Sequence, residues 1–116
     1  MILYIIIGSV SILAIAAIFF YKQKKEYTYE NTYYSNGNIR HAFKKLNATD
    51  AEERVYYETG ELNKLCHVSC GKRQGAFTVY YRNGKEYMKG KYSNNKYIGT
   101  IVIFDLNGNV KQKINY

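Results

Sequence analysis

The chain begins with an apolar run. Residues 1–21 contain no charged side chain and no proline, and they consist mainly of Ile, Leu, Ala, Val and Phe. At a rise of 1.5 Å per residue, a helix needs about 20 such residues to cross the ~30 Å hydrocarbon core of a bilayer. The pattern therefore predicts a single transmembrane α-helix over residues 1–21.

A cleaved secretory signal is the alternative interpretation of this run. Such a signal begins with basic residues and ends with small residues at its cleavage site. This chain instead begins Met-Ile-Leu-Tyr, and the bulky residues Phe19, Phe20 and Tyr21 stand where small residues would be expected. We therefore expect an uncleaved anchor.

Three lysines, Lys22, Lys24 and Lys25, follow the apolar run directly. Basic residues beside a membrane helix favour the cytoplasmic side. The sequence thus predicts a single-pass membrane protein with a cytoplasmic C-terminal domain, joined to its anchor by a basic juxtamembrane tether over residues 22–32. The alternative is that the lysines simply end the helix.

After the tether, an aromatic phrase that ends in glycine occurs four times. The four copies are Tyr33-Tyr34-Ser35-Asn36-Gly37, Tyr56-Tyr57-Glu58-Thr59-Gly60, Tyr80-Tyr81-Arg82-Asn83-Gly84 and Phe104-Asp105-Leu106-Asn107-Gly108. Their glycines are 23, 24 and 24 residues apart, a period typical of arrays of one repeated supersecondary unit. The sequence therefore predicts a repeat domain over residues 33–116.

Each phrase has the properties of a β-hairpin, because aromatic residues favour strands and glycine supplies the positive φ of a tight turn. Between the phrases, Phe77, Val79 and Tyr81 alternate with polar or small residues, as on one face of a strand. We expect about eight short strands in an all-β antiparallel meander, with looser connections near 71–75 and 94–99. Residues 48–54 break the pattern and are expected to form a helical turn or a polar loop. The repeat-defining turn glycines are Gly37, Gly60, Gly75, Gly84, Gly99 and Gly108.

This phrase and spacing resemble the MORN-repeat variant family of bacteria, many of whose members are labelled YwqK-type antitoxins. The residues that carry the resemblance are Tyr56, Tyr57, Gly60, Gly75, Tyr80, Tyr81, Gly84, Gly99, Phe104 and Gly108. Departures are Asp105 in place of the second tyrosine and Thr59 in place of asparagine. The resemblance implies an elongated MORN-like sheet of hairpins that acts as an interaction or lipid-facing module without catalytic residues. The antitoxin label suggests that such a module neutralises a toxin by binding it.

All 17 basic and nine acidic residues follow Tyr21, so the formal net charge of +8 belongs to the region after the apolar run. Held at a bilayer, such a region would be attracted to anionic lipid headgroups by about 1 kcal/mol per basic residue near the surface. The same field attracts nucleic acid, which we do not expect as the partner. The alternative is a lysine-rich solvated surface without a polyanionic partner.

Groups able to perform chemistry are sparse. Cys66 and Cys70 would lie roughly 13 Å apart along a strand, with His67 on the opposite face, so they could share neither a metal nor a disulfide unless residues 69–71 form a turn. Asp50, Glu52 and Glu53 are interpreted as solvated. The sequence predicts no catalytic residues, no metal site, no cofactor and no enzymatic activity.

Tyrosine is abundant, with 14 residues, and suits binding interfaces. The candidate interaction surface comprises Tyr33, Tyr56 and Tyr80 with Lys22, Lys24 and Lys25. The predicted function is a membrane-anchored binding module that holds a protein partner, with an antitoxin or immunity protein as one form. Alternatives are a peripheral module for anionic lipid and a structural subunit of a membrane assembly.

Overall fold

The computed structural model of the chain describes residues 13–15, 17 and 26–116. Among these, helical backbone occurs at 13–15 and at Ala17, and no helix is long and apolar enough to cross a membrane. This finding corrects the prediction of a transmembrane helix over residues 1–21 and, with it, the single-pass membrane location. The remainder of 1–21 and the lysines Lys22, Lys24 and Lys25 lie outside the described residues.

The region after residue 31 forms one antiparallel sheet of eight strands. The strands are β1 Thr32–Tyr33, β2 Ile39–Lys45, β3 Asp50–Tyr56, β4 Leu62–Ser69, β5 Lys72–Tyr80, β6 Glu86–Ser93, β7 Lys96–Phe104 and β8 Val110–Asn115. Their order in the sheet is their order in the sequence, and every neighbouring pair is antiparallel. The described part of the chain thus contains the β-hairpin meander that the repeats predict.

The four phrase glycines each lie in a turn. The amide of each glycine donates to the carbonyl three residues earlier, in the pairs Gly37–Tyr34, Gly60–Tyr57, Gly84–Tyr81 and Gly108–Asp105, at 2.9 to 3.1 Å. Their φ angles lie between 84° and 105°, a region that side chains with a Cβ rarely enter. Glycine is therefore required at these turns by backbone geometry.

The connections expected to be loose are tight two-residue turns. Cys70 and Gly71 join β4 to β5, and Asn94 and Asn95 join β6 to β7, with positive φ at all four residues. Two successive positive φ angles favour the type I′ hairpin, whose twist matches that of the strands. Gly75 and Gly99, expected at turns, instead lie inside β5 and β7, with φ of 78° and 68°.

The glycines within the strands coincide with bulges. On β5, Phe77 pairs with Cys66, whereas Gln74 pairs with the next residue of β4, His67. The two residues of β5 between Gln74 and Phe77 therefore have no pairing partner on β4. Such a bulge bends the strand and admits glycine with positive φ.

Residues 48–54, expected to form a helical turn or a polar loop, contribute most of β3. The side-chain oxygen of Asn47 caps the preceding turn by accepting hydrogen bonds from the amides of Thr49 and Asp50, both at 2.9 Å. Ala51, Glu53 and Val55 then alternate with exposed or half-buried polar residues. This segment thus has the period-two alternation of a strand, although its charged composition suggests a loop.

We call the face of the sheet that carries Cys66 and Phe77 the inner face, and the opposite one the outer face. The buried residues Cys66, Phe77, Tyr92 and Ile101 form the core on the inner face. Directly opposed residues on neighbouring strands share a face. The register therefore defines a row across the inner face that runs Phe43, Glu53, Cys66, Phe77 and Gly90 and resumes with Ile101 and Ile114.

Residues 26–31, which we call the strap, contact the sheet although they form no strand. The amide of Tyr27 donates to the carbonyl of Ala48 at 3.0 Å, and the side chain of Asn31 accepts a hydrogen bond from the amide of Phe43 at 3.0 Å. The Tyr29 hydroxyl donates to the carbonyl of Thr49 at 2.6 Å. The second half of the expected tether is therefore attached to the repeat domain.

Candidate functional site

Three of the predicted interaction residues lie at the ends of odd-numbered strands. Tyr33 is 57% exposed, whereas Tyr56 and Tyr80 are half-buried. The register shifts at each of the three residues, so strand alternation alone does not define the face to which they point. They mark one end of three different strands and do not form a cluster, while the other three predicted residues, Lys22, Lys24 and Lys25, lie outside the described region.

The second tyrosine of each phrase joins one repeat to the next. The three hydroxyls donate to the carbonyl at the end of the corresponding strand one unit later, in the pairs Tyr34 to Tyr56, Tyr57 to Tyr80 and Tyr81 to Phe104, at 2.6 to 2.7 Å. A hydrogen bond that recurs with the repeat fixes the spacing between hairpins. This role accounts for the second tyrosine of the phrase.

Asp105 takes the tyrosine's place in the fourth phrase. Its carboxylate accepts hydrogen bonds from the amides of Asn107 at 2.9 Å and Asn109 at 3.0 Å, within its own turn. A carboxylate cannot donate to a carbonyl, so the series of hydroxyl bonds stops here. The substitution occurs in the turn that precedes β8, the last strand of the sheet.

The outer face of the later strands is rich in lysine. The register places Thr78, Lys89, Val102 and Lys113 in one row and Ala76, Lys91 and Ile98 in the next. All three lysines are exposed, as is Ile98 at 43%. Lys89 forms an ion pair with Glu86 at 2.9 Å, whereas neither Lys91 nor Lys113 has an ion pair with any described residue. We call Lys89, Lys91 and Lys113 with Val102 and Ile98 the basic face.

Charge is divided unevenly along the sheet. Residues 72–116 contain nine Lys and Arg against two acidic residues, a net charge of +7. Residues 26–71 contain five Lys and Arg against seven acidic residues, a net charge of −2. The positive field is therefore concentrated on the half that carries the basic face.

A buried ion pair lies on the inner face between β3 and β5. Glu53 is 5% exposed, and its Oε1 accepts hydrogen bonds from Nε of Arg73 at 2.8 Å and from Sγ of Cys66 at 3.1 Å. The Cζ atom of Arg73 lies 5.9 Å from the ring centre of Tyr92. In the same row, β5 and β7 carry the apolar residues Phe77 and Ile101. Sequence analysis missed this pair because it interpreted Glu53 as solvated.

Burial and neighbouring charges shift the pKa values of Glu53 and Cys66. Burial by itself raises the pKa of Glu53, but the hydrogen bonds from Arg73 and Cys66 outweigh it, so the pKa of Glu53 is lowered. Burial, together with the neighbouring Glu53, raises the pKa of the Cys66 thiol to about 12. Glu53 is therefore ionised at neutral pH, and Cys66 is a protonated thiol without nucleophilic character.

The strap encloses a cavity against this ion pair. Its volume is roughly 380 Å³, within the lower part of the range of small-molecule sites. Tyr27, Tyr29 and Phe43 line it together with Glu53 and Arg73. The rings of Tyr29 and Phe43 are stacked with centres 5.4 Å apart.

The other potential ligands do not meet. Cys66 is buried on the inner face and His67 points outward from the next position, while Cys70 is exposed in the β4–β5 turn. Both cysteines are free thiols. Among the described residues no group of three His, Cys, Asp or Glu could hold a metal ion.

Comparison with known proteins gives no match from which a function could be inferred. No family model, no curated protein and no solved structure matches the chain.

Proposed function

We propose that this protein is a binding module whose basic face holds an acidic surface of a partner protein. The observation that carries the proposal is the pair of rows on β5 to β8, in which Lys89, Lys91 and Lys113 alternate with Val102 and Ile98. Lysines around apolar side chains offer both charge attraction and apolar contact area, which a protein surface uses together. A rigid sheet presents them with little loss of backbone entropy on binding.

A toxin is one class of partner consistent with the proposal. The resemblance to antitoxin-labelled MORN-repeat variants motivates this hypothesis, and both the resemblance and the toxin remain predictions. The same lysines would attract anionic lipid headgroups, which is the second candidate function. The two candidate functions predict different effects of the lysines on the capture of a protein and on the binding of vesicles.

Charge reversal tests the proposal. In affinity co-purification of the full chain, the amount of acidic partner should fall at least about tenfold in the variant Lys89→Glu, Lys91→Glu, Lys113→Glu. The reason is that three attractive contacts become repulsive. The matched control is Lys22→Glu, Lys24→Glu, Lys25→Glu, which lowers the net charge by the same six units, from +8 to +2. The control should retain the partner, identified by mass spectrometry.

Two outcomes would contradict the proposal. One is equal loss of the partner in both triple variants, which would show that net charge alone matters. The other is flotation with phosphatidylserine vesicles that depends on the basic face, without any protein whose capture depends on it. That result would favour the lipid function.

A further inference from the structure

The cavity between the strap and the sheet is independent of the basic face, because it opens on the opposite side. Tyr27 and Tyr29 of the strap and Phe43 of β2 provide aromatic walls, and Glu53 and Arg73 provide the polar part. The side chain of Arg73 is 33% exposed, so the guanidinium remains accessible to solvent and to a ligand from solvent.

The packing of the sheet does not require an ion pair at this position. At the row position of Glu53, β5 and β7 carry Phe77 and Ile101, so the repeat itself accommodates an apolar side chain there. Removing a carboxylate and a guanidinium from water costs several kcal/mol per ion in typical proteins, and apolar residues often replace such pairs without loss of stability. Retention of charge at this position therefore calls for a further explanation.

Most of the pair's hydrogen-bonding capacity is unused. Oε1 of Glu53 receives both hydrogen bonds, from Arg73 and Cys66, and Arg73 donates through Nε. Oε2 of Glu53 and the two terminal nitrogens of Arg73 bond no described residue. An acceptor and a pair of donors thus lie side by side in one cavity.

We propose that this cavity binds a free α-amino acid with an apolar side chain. The ammonium group of the ligand donates to Oε2 of Glu53, and its carboxylate accepts from the terminal nitrogens of Arg73. The apolar side chain packs against the aromatic wall that Tyr27, Tyr29 and Phe43 form. A zwitterion pairs with both members of the ion pair, whereas a simple cation or anion pairs with one.

Ligand analogues test the zwitterion requirement on the unaltered full chain. L-Phenylalanine should shift the amide resonances of Gly71 and Asn95, which line the cavity, in ¹H–¹⁵N spectra. Phenethylamine lacks the carboxylate and 3-phenylpropionate lacks the ammonium. Each should bind at least about tenfold more weakly, the loss expected for one hydrogen bond between charged groups.

Variants test which residues hold the ligand. Glu53→Gln should weaken binding of L-phenylalanine at least about tenfold. Glu58→Gln is the matched control, because Glu58 also pairs with an arginine at 2.8 Å, but on the surface, with Arg82. The double variant Glu53→Leu, Arg73→Met should lose binding while keeping its thermal stability.

The proposal is overturned if L-phenylalanine causes no shift at about 10 mM, a concentration that detects even weak sites. It is also overturned if the two analogues bind as tightly as the amino acid, or if Glu58→Gln and Glu53→Gln weaken binding equally. Unfolding of the double variant would show that the ion pair serves stability. The proposal would then be overturned if the analogue series on the unaltered chain shows no requirement for a zwitterion.

Discussion

Gly90 shows how one residue determines the packing of the core. Its φ is not positive, so the backbone does not demand glycine. A Cβ placed there would overlap Cδ1 of Ile101 and would lie 3.0 Å from Cε1 of Phe77. Glycine at this position therefore makes room for Ile101, the largest fully buried side chain among the described residues, which is 1% exposed.

A double-mutant cycle measures this packing. Gly90→Ala should lower the free energy of unfolding by about 1–3 kcal/mol through overpacking. Ile101→Val removes Cδ1 and by itself should cost about 0.5–1.5 kcal/mol. The double variant should be less destabilised than the sum of the two, as measured by urea denaturation, because the overlapping atom is gone. Strict additivity would contradict this explanation.

The two cysteines should differ in reactivity and in their effect on stability. Cys70 is exposed and should react with iodoacetamide in the native protein, whereas Cys66, 3% exposed and with its pKa raised to about 12, should react only after unfolding. The Cys70→Ser control should show no native labelling.

Because the raised pKa of Cys66 favours the protonated thiol in the folded protein, its contribution to stability is complete below about pH 8.5, the pKa of an unfolded cysteine. This contribution is lost as the pH rises above that value, so the midpoint of denaturation should decrease with increasing pH in that range.

At the scale of single elements, the hairpin is the unit and the tyrosine hydroxyl is its connector. Tyr34, Tyr57 and Tyr81 each donate to a carbonyl 22 or 23 residues later, beyond the intervening hairpin. Burial is modest in this single sheet, where six hydrophobic residues and Glu53 are fully buried among those described. Hydrogen bonds between units consequently carry more of the stability than in a domain with two packed layers.

Removal of single hydroxyls tests the connector role. Tyr57→Phe and Tyr81→Phe should each lower the free energy of unfolding by about 0.5–1.5 kcal/mol, the usual net contribution of one hydrogen bond. Tyr33→Phe is the control, because Tyr33 is exposed and its hydroxyl bonds no described residue; it should change stability by less than about 0.5 kcal/mol. A Tyr57→Phe protein as stable as the control would contradict the connector role.

At the scale of the whole molecule, a single open sheet must avoid pairing through its last strand. β8 pairs with β7 on one side, and no described strand covers its other side. Lys111 and Lys113 lie on this strand and are exposed. Lysines on an edge strand oppose its pairing with a second copy through charge repulsion.

Loss of these lysines should promote self-association. Lys111→Thr, Lys113→Val should form dimers or larger species in sedimentation velocity, because the edge then offers unpaired backbone groups without repulsion. Lys89→Thr, Lys91→Val is the control, with the same loss of charge on the interior strand β6, and should not associate through this route. Equal association of both variants would indicate a general effect of charge.

The sequence by itself determined the repeat, the four turns at the phrase glycines and the antiparallel order of the strands. These features depend on local chemistry: glycine at positive φ, aromatic residues in strands, and a period of about two dozen residues. The predicted spanning helix over residues 1–21 is not among these features, because no helix of the described residues is long and apolar enough to cross a membrane. Residues 48–54 were misread, since their charged composition hid the alternation of β3.

The tertiary structure alone decided which residues meet. Glu53 and Phe77 each lie seven residues before a phrase glycine and share one row, but the repeat spacing does not show that Glu53 is buried there against Arg73. The strap covers Glu53 and Arg73, and the alignment of three strands produces the basic face. Contacts between residues far apart in sequence depend on register and curvature, which the whole sheet sets together and no local pattern contains.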